Sequence, residues 1–348
     1  MKKIIASVFI ISLLSLLALS SVSSRFFYYQ LFWIILGFIL ITFFLFFDWH
    51  LILNYGWLIW GFYGLVNLLL LATLLFAPLT RHIRGWLSVG FVTFQPAELA
   101  KVALILVYAQ YFSRRHFKIN HLRTIAQSFF IFILPAVLIF LEPDFGAAFV
   151  LLGIWFGFLL ISGLSLKRIV AFILIFVVMA AVLWGWFLKD YQKERIVSFL
   201  HPGQNSLTYN YNINQSKIAI GSAGLLGKGY NQGTQMKLGF LPEAEGDFVF
   251  AAFTEQWGLA GGLFLIFIFM YLIFQILKVG AEADQNFEKF VCLGTIIILS
   301  LQFFLNIGSE LGILPVVGIT FPFLSYGGSS LLTLFFLISI INAIAKKS

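Results

Sequence analysis

The stretch from Asp247 to Val279, DFVFAAFTEQWGLAGGLFLIFIFMYLIFQILKV, is almost wholly apolar after its first residues. It is longer than the roughly 20 residues that an α-helix needs to cross a lipid bilayer. The rest of the chain is similar in composition: 61% of the residues are hydrophobic, 18% are aromatic and only 10% are charged. This composition excludes an ordinary soluble domain. The sequence therefore predicts an all-α polytopic membrane protein.

Apolar stretches of spanning length recur along the chain, and we count about ten transmembrane helices. The fifth is short and ends at the polar turn EPDFG, so nine helices are an alternative. With the N-terminus in the cytoplasm, most Lys and Arg residues fall in inner loops, which favours ten helices with both termini inside. The predicted spans are residues 4–20, 27–47, 51–78, 97–113, 126–141, 147–165, 168–189, 247–279, 289–306 and 313–345.

The N-terminus and the net charge fit this class. The basic, apolar start MKKIIASVFIISLLSLLALS could also be a cleavable signal peptide, but its long apolar run and the spans that follow favour a first membrane helix. Most of the net charge of +8 lies in the predicted inner loops, where it sets orientation and meets anionic lipid headgroups. We therefore expect membrane lipids and no nucleic acid as partners, and we treat residues 1–348 as a single integral membrane domain.

One connection is much longer than the others: residues 190–246, between the seventh and eighth predicted helices, on the outer face. Its glycines and interspersed apolar residues, as in KIAIGSAGLLGKGYNQGTQMKLGF, are typical of a structured loop with a short interfacial helix. Loops of this length are usually functional or disordered, and the composition argues for function. We therefore expect this extracytoplasmic loop to bear part of an active site.

Three acids, Glu243, Glu245 and Asp247, lie at the end of this loop. One helix cap does not need three acids, although capping by Asp247 is an alternative. Thr254 and Glu255 continue the polar pattern into the eighth helix. We therefore predict that a polar stripe runs into the membrane from the loop and forms a cavity wall.

Two pairs of charged residues border other spans, where a charge is costly unless it is paired or faces water. Glu98 and Lys101 are three residues apart on one helical face, so they predict a buried ion pair. Such a pair is more often structural than catalytic. Glu142 and Asp144 lie at an outer helix junction, where acids also serve as helix caps.

The sequence NIGSELGILPVVGITFPFLSYGGSS interrupts the last spans. Pro315, Pro322, Gly327 and Gly328 bend helices and free backbone groups, which then need other partners. Close packing of the last helix on its neighbours is the alternative explanation for the glycines.

These stretches resemble the signature blocks of the SEDS family (shape, elongation, division and sporulation), which includes RodA and FtsW. Six blocks occur in the family's order, from about Arg84 to the C-terminus: RGWLSVGFVTFQPAELAK, EPDFGAAFVLL, RIVSFLHP, QSKIAIGSAGLLGKGYNQGTQMKLGFLPE, GDFVFAAFTEQWGLAGG and NIGSELGILPVVGITFPFLSYGGSS. The resemblance implies a peptidoglycan glycosyltransferase that polymerises lipid II, the undecaprenyl-diphosphate-linked disaccharide peptide, at the outer face of the bacterial cytoplasmic membrane. It also implies a class B penicillin-binding protein as the cross-linking partner.

In this family the eighth helix follows a His-Thr-Asp-Phe block, whose Asp is regarded as catalytic. Here the block reads Glu245, Gly246, Asp247, Phe248. The resemblance therefore makes Asp247 the general base that takes the proton of the attacking sugar hydroxyl. The His-Thr pair is absent, so any orienting role of those side chains has to be dispensable or come from elsewhere.

The remaining candidates bind the substrate or support the site. The leaving diphosphate requires positive charge or backbone N–H groups, and the outer loop offers several cations, although each is also an ordinary solvated loop charge. A divalent cation, Mg²⁺ or Mn²⁺, would also fit, but no His or Asp spacing demands one and no metal ligands are assigned. The substrate-binding candidates are Trp86, Arg195, Lys217, Lys228, Glu255, Ser325 and Tyr326, and the supporting candidates are Gln95, Glu98, Lys101, Glu142, Asp144, Gly327 and Gly328.

The loop sequence GKGYNQGTQMKLGFLPE is more similar to that of the elongation branch, RodA, than to that of the division branch, FtsW. Two other classes of function are alternatives: a lipid II flippase, which should show repeat-related halves and a midplane site, and a non-catalytic scaffold for the penicillin-binding protein. We expect the partner's membrane helix to dock on the eighth to tenth spans, where Gly327 and Gly328 would allow close approach.

Overall fold

The computed structural model describes residues 1–46, 55–79, 84–89, 92–115, 121–188, 193–194, 197, 199–200 and 209–347. Within these ranges the regular structure is helical apart from one short hairpin. The helices are α1 (Lys2–Val22), α2 (Ser24–Phe46), α3 (Gly56–Phe76), α4 (Pro96–Ser113), α5 (Leu122–Leu141), α6 (Phe145–Ile161), α7 (Leu166–Val182, continued by a π-helical turn, Leu183–Phe187), α8 (Tyr209–Ser222), α9 (Thr234–Lys237), α10 (Val249–Glu282), α11 (Asn286–Glu310) and α12 (Gly328–Lys347). The strands are β1 (Leu87–Val89) and β2 (Val92–Phe94).

Each predicted span corresponds to one helix, namely α1 to α7 and α10 to α12. Eight of the described helices are long and apolar enough to cross a membrane. The other two are α6, an apolar helix of 17 residues, and α4, whose first two turns contain Glu98 and Lys101. Helix α5 has 20 residues and is separate from α6, so the reading that merges or discards the fifth span is wrong. The chain is an all-α polytopic membrane protein.

Helix α4 lies inside the bundle and is buried along most of its length. It contacts α3, α6, α11 and α12. Because lipid tails are as apolar as the side chains, membrane helices associate through close packing and interhelical hydrogen bonds. Tyr108 on α4 donates to the Ser128 carbonyl of α5 at 2.8 Å, and Trp155 on α6 donates to the Ser128 hydroxyl at 3.0 Å. These bonds tie α4, α5 and α6 together.

Helix α10 kinks at Gly258, whose φ is +73°. The segment 224–229, from the long loop between α7 and α10, fills the break. Before the break, two α10 carbonyls accept hydrogen bonds from the N–H groups of Lys228 and Gly229 at 3.0 Å. After the break, two α10 N–H groups donate to loop carbonyls at 3.0 and 3.1 Å. A Cβ atom at Gly258 would overlap the loop backbone, so this contact and the positive φ both require glycine.

The predicted tenth span, residues 313–345, is wrong in its first half. Residues 311–327 are irregular, and α12 begins at Gly328. Pro315 and Pro322 lack the N–H group that a helix interior needs, so the apolar character of this segment does not produce a helix. The irregular segment instead supplies part of the wall of the cavity described below.

Residues 209–246 of the long loop between α7 and α10 are structured, as the sequence predicted. Helix α8 packs against α10 and α11, and the short α9 packs against α10. A small apolar cluster separate from the main core holds the loop on the start of α10. It consists of Ala219, Met236, Leu241, Ala244, Phe248, Ala251 and Ala252.

The β1–β2 hairpin was not predicted. Its pairs are Leu87 with Phe94, Ser88 with Thr93, and Val89 with Val92. Strands of three residues are too short for an alternating pattern to identify them. The hairpin leads directly into α4, and the Gln95 N–H group donates to the Ser329 hydroxyl of α12 at 3.1 Å.

Candidate active site

A polar cavity of about 550 Å³ lies where the hairpin, the long loop before α10 and the irregular segment 311–327 meet. All three loop acids, Glu243, Glu245 and Asp247, reach its wall. The structure therefore brings together residues that are far apart in the sequence. Of the predicted site residues, the wall contains Trp86, Gln95, Glu98, Lys101, Asp144, Asp247, Tyr326, Gly327 and Gly328.

Asp247 is half-buried in this wall, and Gly318 faces its Oδ2 atom. The backbone carrying Asp247 is fixed by distant parts of the chain. Three successive carbonyls, of residues 245 to 247, accept hydrogen bonds from the Tyr326 N–H group at 2.8 Å, the Ser325 hydroxyl at 2.7 Å and the Asn306 amide at 3.0 Å. The carboxylate therefore projects from a turn whose main chain has little freedom.

The predicted ion pair is confirmed. The Lys101 Nζ atom lies 2.6 Å from the Glu98 Oε1 atom, and both side chains are buried at the edge of the cavity. Each charge compensates the other where water is scarce. The pair thus makes the start of α4 part of the cavity wall.

Asp144 both caps a helix and faces the cavity. Its Oδ1 atom accepts from the Ala147 N–H group at 3.0 Å, which caps α6, and its Oδ2 atom accepts from the Gln95 amide at 2.8 Å. Burial raises the pKa of Asp144, and the Ala147 N–H group partly offsets this. The capping alternative is therefore confirmed for Asp144.

Glu142 behaves differently from Asp144. It directly follows α5, is fully buried beside Thr73 and does not line the cavity. Burial raises its pKa to about 7. Glu142 thus packs inside the junction between α5 and α6.

The segment 325–328 closes the cavity next to Asp247. Ser325 is buried behind the wall. In addition to donating to the Gly246 carbonyl, its hydroxyl accepts from the Phe321 N–H group at 2.9 Å. The Tyr326 ring packs against Phe26 with 5.0 Å between centroids, and both line the cavity. Gly328 lies against the Trp33 ring of α2, so packing within the chain explains this glycine. The docking of a partner helix on the eighth to tenth spans stays a prediction.

The sequence model of the FtsW/RodA/SpoVE family, described as "Cell cycle protein", matches residues 1–348. The chain belongs to this family. It is the SEDS family that the sequence blocks indicated.

Individual relatives and solved structures agree with this assignment. "Peptidoglycan glycosyltransferase MrdB" of Escherichia coli (strain K12) is 37% identical over 272 residues, which cover 78% of this chain and 73% of that protein. "Probable peptidoglycan glycosyltransferase FtsW" of Saccharophagus degradans is 36% identical over 289 residues, covering 79% and 73%.

Two solved structures have the same fold. One, described as "Structural coordination of polymerization and crosslinking by a peptidoglycan synthase complex", gives a TM-score of 0.86 at 25% identity and covers 99% of this chain and 97% of that chain. The Thermus thermophilus rod shape determining protein RodA gives a TM-score of 0.74 at 23% identity, covering 99% and 96%.

Within this SEDS chain, two predicted substrate-binding residues bind each other instead of lining the cavity. Glu255 is fully buried, and its Oε1 atom accepts from the Lys228 ammonium at 2.8 Å and from the Gln235 N–H group at 2.9 Å. The Met236 N–H group donates to Oε2 at 3.3 Å. Glu255 therefore caps α9 and holds the loop on α10. The predicted polar stripe is likewise wrong, because neither Thr254 nor Glu255 lines the cavity.

The predicted cation Lys217 is not part of the cavity wall either. Lys217 is exposed on α8 and extends over Gly312, just beyond the end of α11. Arg195 lies outside the described residues. Among the described residues, Lys101 is the one cationic side chain on the wall, and it is paired with Glu98.

The cavity wall is therefore acidic, with Asp144, Glu243, Glu245 and Asp247 in addition to the neutralised pair. The described ranges nevertheless contain no group of three or more His, Cys, Asp or Glu residues arranged to hold a metal ion. The observed side chains thus do not form a ready-made site for the divalent cation that we considered.

Sequence reasoning missed two polar residues of α11 next to Asp247. Asn306 donates to the Asp247 carbonyl, and Glu310 accepts from the N–H groups of Phe250 and Ala251 at 3.3 and 2.6 Å. Both lie in the block NIGSELG, at the end of the apolar helix α11. A buried amide and a buried acid at that depth are expensive, and this is the signal that could have identified them.

Proposed function

We propose that this chain is a peptidoglycan glycosyltransferase of the elongation type, which polymerises lipid II, with Asp247 as the general base. The observation that carries the proposal is the position of Asp247, on a rigid turn in the wall of a polar cavity. The family assignment and the names of the MrdB relatives support the reaction class.

In the proposed reaction a sugar hydroxyl of one lipid II molecule attacks the anomeric carbon of another. A C–O bond forms, the bond to undecaprenyl diphosphate breaks, and Asp247 takes the hydroxyl proton. General base catalysis of this kind is typically worth a factor of about 10²–10⁴. The cavity residues position and shield the reacting groups, and no step that we assign depends on a metal ion.

We place the cavity on the outer face of the bacterial cytoplasmic membrane with both termini in the cytoplasm. The support is the distribution of Lys and Arg residues among the loops. In this orientation the loop 190–246 is extracytoplasmic, and its described part contributes Asn212, Glu243 and Glu245 to the cavity wall.

The proposed partner is a class B penicillin-binding protein, which cross-links the strands. A structural neighbour comes from a peptidoglycan synthase complex that coordinates polymerization and crosslinking, which supports a partner of this kind. The last helix, α12, is largely buried within this chain. Of the three spans predicted to receive the partner's membrane helix, we therefore favour the eighth, where α10 exposes Leu263, Phe267 and Phe274.

The test is polymerisation of labelled lipid II by the purified chain with its cognate partner. Asp247→Asn is nearly isosteric but cannot act as a base, and it should abolish strand synthesis while partner co-purification is retained. Asp284→Asn, an exposed acid between α10 and α11, is the matched control and should leave synthesis unchanged. Polymerisation by Asp247→Asn within about tenfold of wild type would remove the base assignment.

The same preparation distinguishes the other two functions. A flippase would move labelled lipid II across proteoliposome membranes without making strands. A scaffold would bind the partner and do neither.

A further inference from the structure

The start of α10 lacks the usual side-chain cap. A helix leaves its first N–H groups without partners inside the helix, and Ser, Thr, Asp or Asn at the capping position normally supplies an acceptor. Here the capping position is Phe248, and no side-chain cap bond is made from it. This matters for the site because Asp247 directly precedes Phe248.

Glu310 supplies the missing acceptor from another helix. It is the last residue of α11 and is fully buried. Its two carboxylate oxygens accept separately from the N–H groups of Phe250 and Ala251, at 3.3 and 2.6 Å. A negative charge is also favourable at a helix N-terminus, where the helix dipole is positive.

The same turn of α11 also holds the other side of Asp247. Asn306, four residues before Glu310 and so on the same helical face, donates to the carbonyls of Asp247 and Ile319, both at 3.0 Å. At its other end, Glu310 accepts a hydrogen bond on its backbone carbonyl from the Ser216 hydroxyl of α8 at 2.9 Å. Glu310 thus joins the outer loop, α11 and the turn that carries Asp247.

We propose that Glu310 is a positioning residue for Asp247, an inference that rests on the proposed glycosyltransferase function. By fixing the first turn of α10, its carboxylate sets the direction in which the Asp247 side chain enters the cavity. The reacting groups must be aligned closely, and a displacement of about 1 Å can cost about 100-fold in rate. Glu310 does not line the cavity, so its loss should affect the rate and spare substrate binding.

The test compares Glu310→Ala, Glu310→Gln and wild type, each purified with the partner and assayed for lipid II polymerisation per folded molecule. Glu310→Ala should lower kcat by about 10-fold to 100-fold, with KM changed by less than about threefold. Glu310→Gln keeps one acceptor oxygen and should lie between the two. The matched control is Glu288→Gln, a buried acid at the opposite end of α11, about 33 Å away, which should leave kcat unchanged.

A second measurement does not depend on activity. Hydrogen exchange of the Phe250 and Ala251 amides should accelerate in Glu310→Ala and recover in part in Glu310→Gln, while exchange in the centre of α11 stays slow. If wild type makes no strands, the function proposal fails, and amide exchange alone then decides whether Glu310 fixes this turn.

Several results would overturn the inference. One is unchanged amide protection in Glu310→Ala, and another is an unchanged kcat. A raised KM with normal kcat would place Glu310 in substrate binding instead. A loss of activity that matches the loss of folded protein, in both Glu310 variants, would reduce its role to stability.

Discussion

The ion pair between Glu98 and Lys101 allows a prediction with a magnitude, because both charges are buried. The distance between Lys101 Nζ and Glu98 Oε1 is 2.6 Å, and the side chains are 4% and 11% exposed. Lys101→Met leaves the Glu98 charge without its partner, and Glu98→Gln does the same to Lys101. Removing one member of a buried pair costs about 3–5 kcal/mol, whereas replacing both members is often nearly neutral.

The coupling energy follows from these values. If each single variant loses about 3 kcal/mol, independent effects would add to about 6 kcal/mol in Glu98→Gln/Lys101→Met. We expect the double variant to lose no more than about 3 kcal/mol, which gives a coupling of about 3 kcal/mol. The exposed pair Lys278–Glu282, at 3.6 Å and more than half exposed on both sides, is the control, and its coupling should stay below about 0.5 kcal/mol.

The assay is reversible unfolding in detergent micelles of wild type, the two single variants and the double variant, with the same set for the control pair. The reasoning is refuted if the loss in the double variant equals the sum of the two single losses within about 0.5 kcal/mol. Additive losses of that kind would mean that the two charges do not interact energetically, whatever their distance.

Three further predictions concern other parts of the chain. Burial raises the pKa of Glu142 from 4.5 to about 7, so its contribution to stability is fully present below pH 4.5 and is lost as pH rises through 7. Glu142→Gln should remove this loss, and unfolding experiments at pH 8 should show a gain in the free energy of unfolding of up to about 3 kcal/mol. Gly328→Ala meets the Trp33 ring, whereas the nearest atom to a Cβ at Gly327 is 3.7 Å away; thermal unfolding should show a loss of about 1–3 kcal/mol for Gly328→Ala and little for Gly327→Ala, and equal losses would contradict the packing explanation. Glu255→Gln weakens the contact with Lys228 and should make the loop between α8 and α10 more sensitive to limited proteolysis; unchanged cleavage would show that this contact does not hold the loop.

The parts of the structure that the sequence predicted depend on local spacing. The spans follow from the length of apolar runs, since a bilayer sets that length. The Glu98–Lys101 pair follows from two charges three residues apart in a helix, which must share a face. The convergence of Asp247, Asp144 and Trp86 on one cavity is not local. It was expected only because the chain resembles a family.

The errors of the site prediction come from contacts between segments that are distant in sequence. Lys228 and Glu255 were both reasonable polar candidates beside a membrane span, but nothing in their spacing shows that they face each other. Asn306 and Glu310 were passed over for the same reason. Their partners are backbone groups next to the α10 start and, for Asn306, also the Ile319 carbonyl, and a backbone N–H or carbonyl leaves no trace in a sequence pattern.

The break at Gly258 accounts for the misplaced polar stripe and for the depth of Asp247. Helix α10 has 34 residues, about 51 Å if it were straight, which is far longer than the hydrocarbon core of about 30 Å. The portion after Gly258, residues 259–282, is about 36 Å long and suffices for one crossing. The portion before it therefore belongs with the outer loop, whose segment 224–229 provides the hydrogen bonds that the break removes. Glu255 thus stays among loop N–H groups. In the membrane orientation that we propose, Asp247 would lie above the hydrocarbon, where the sugar hydroxyl of the proposed substrate can reach it.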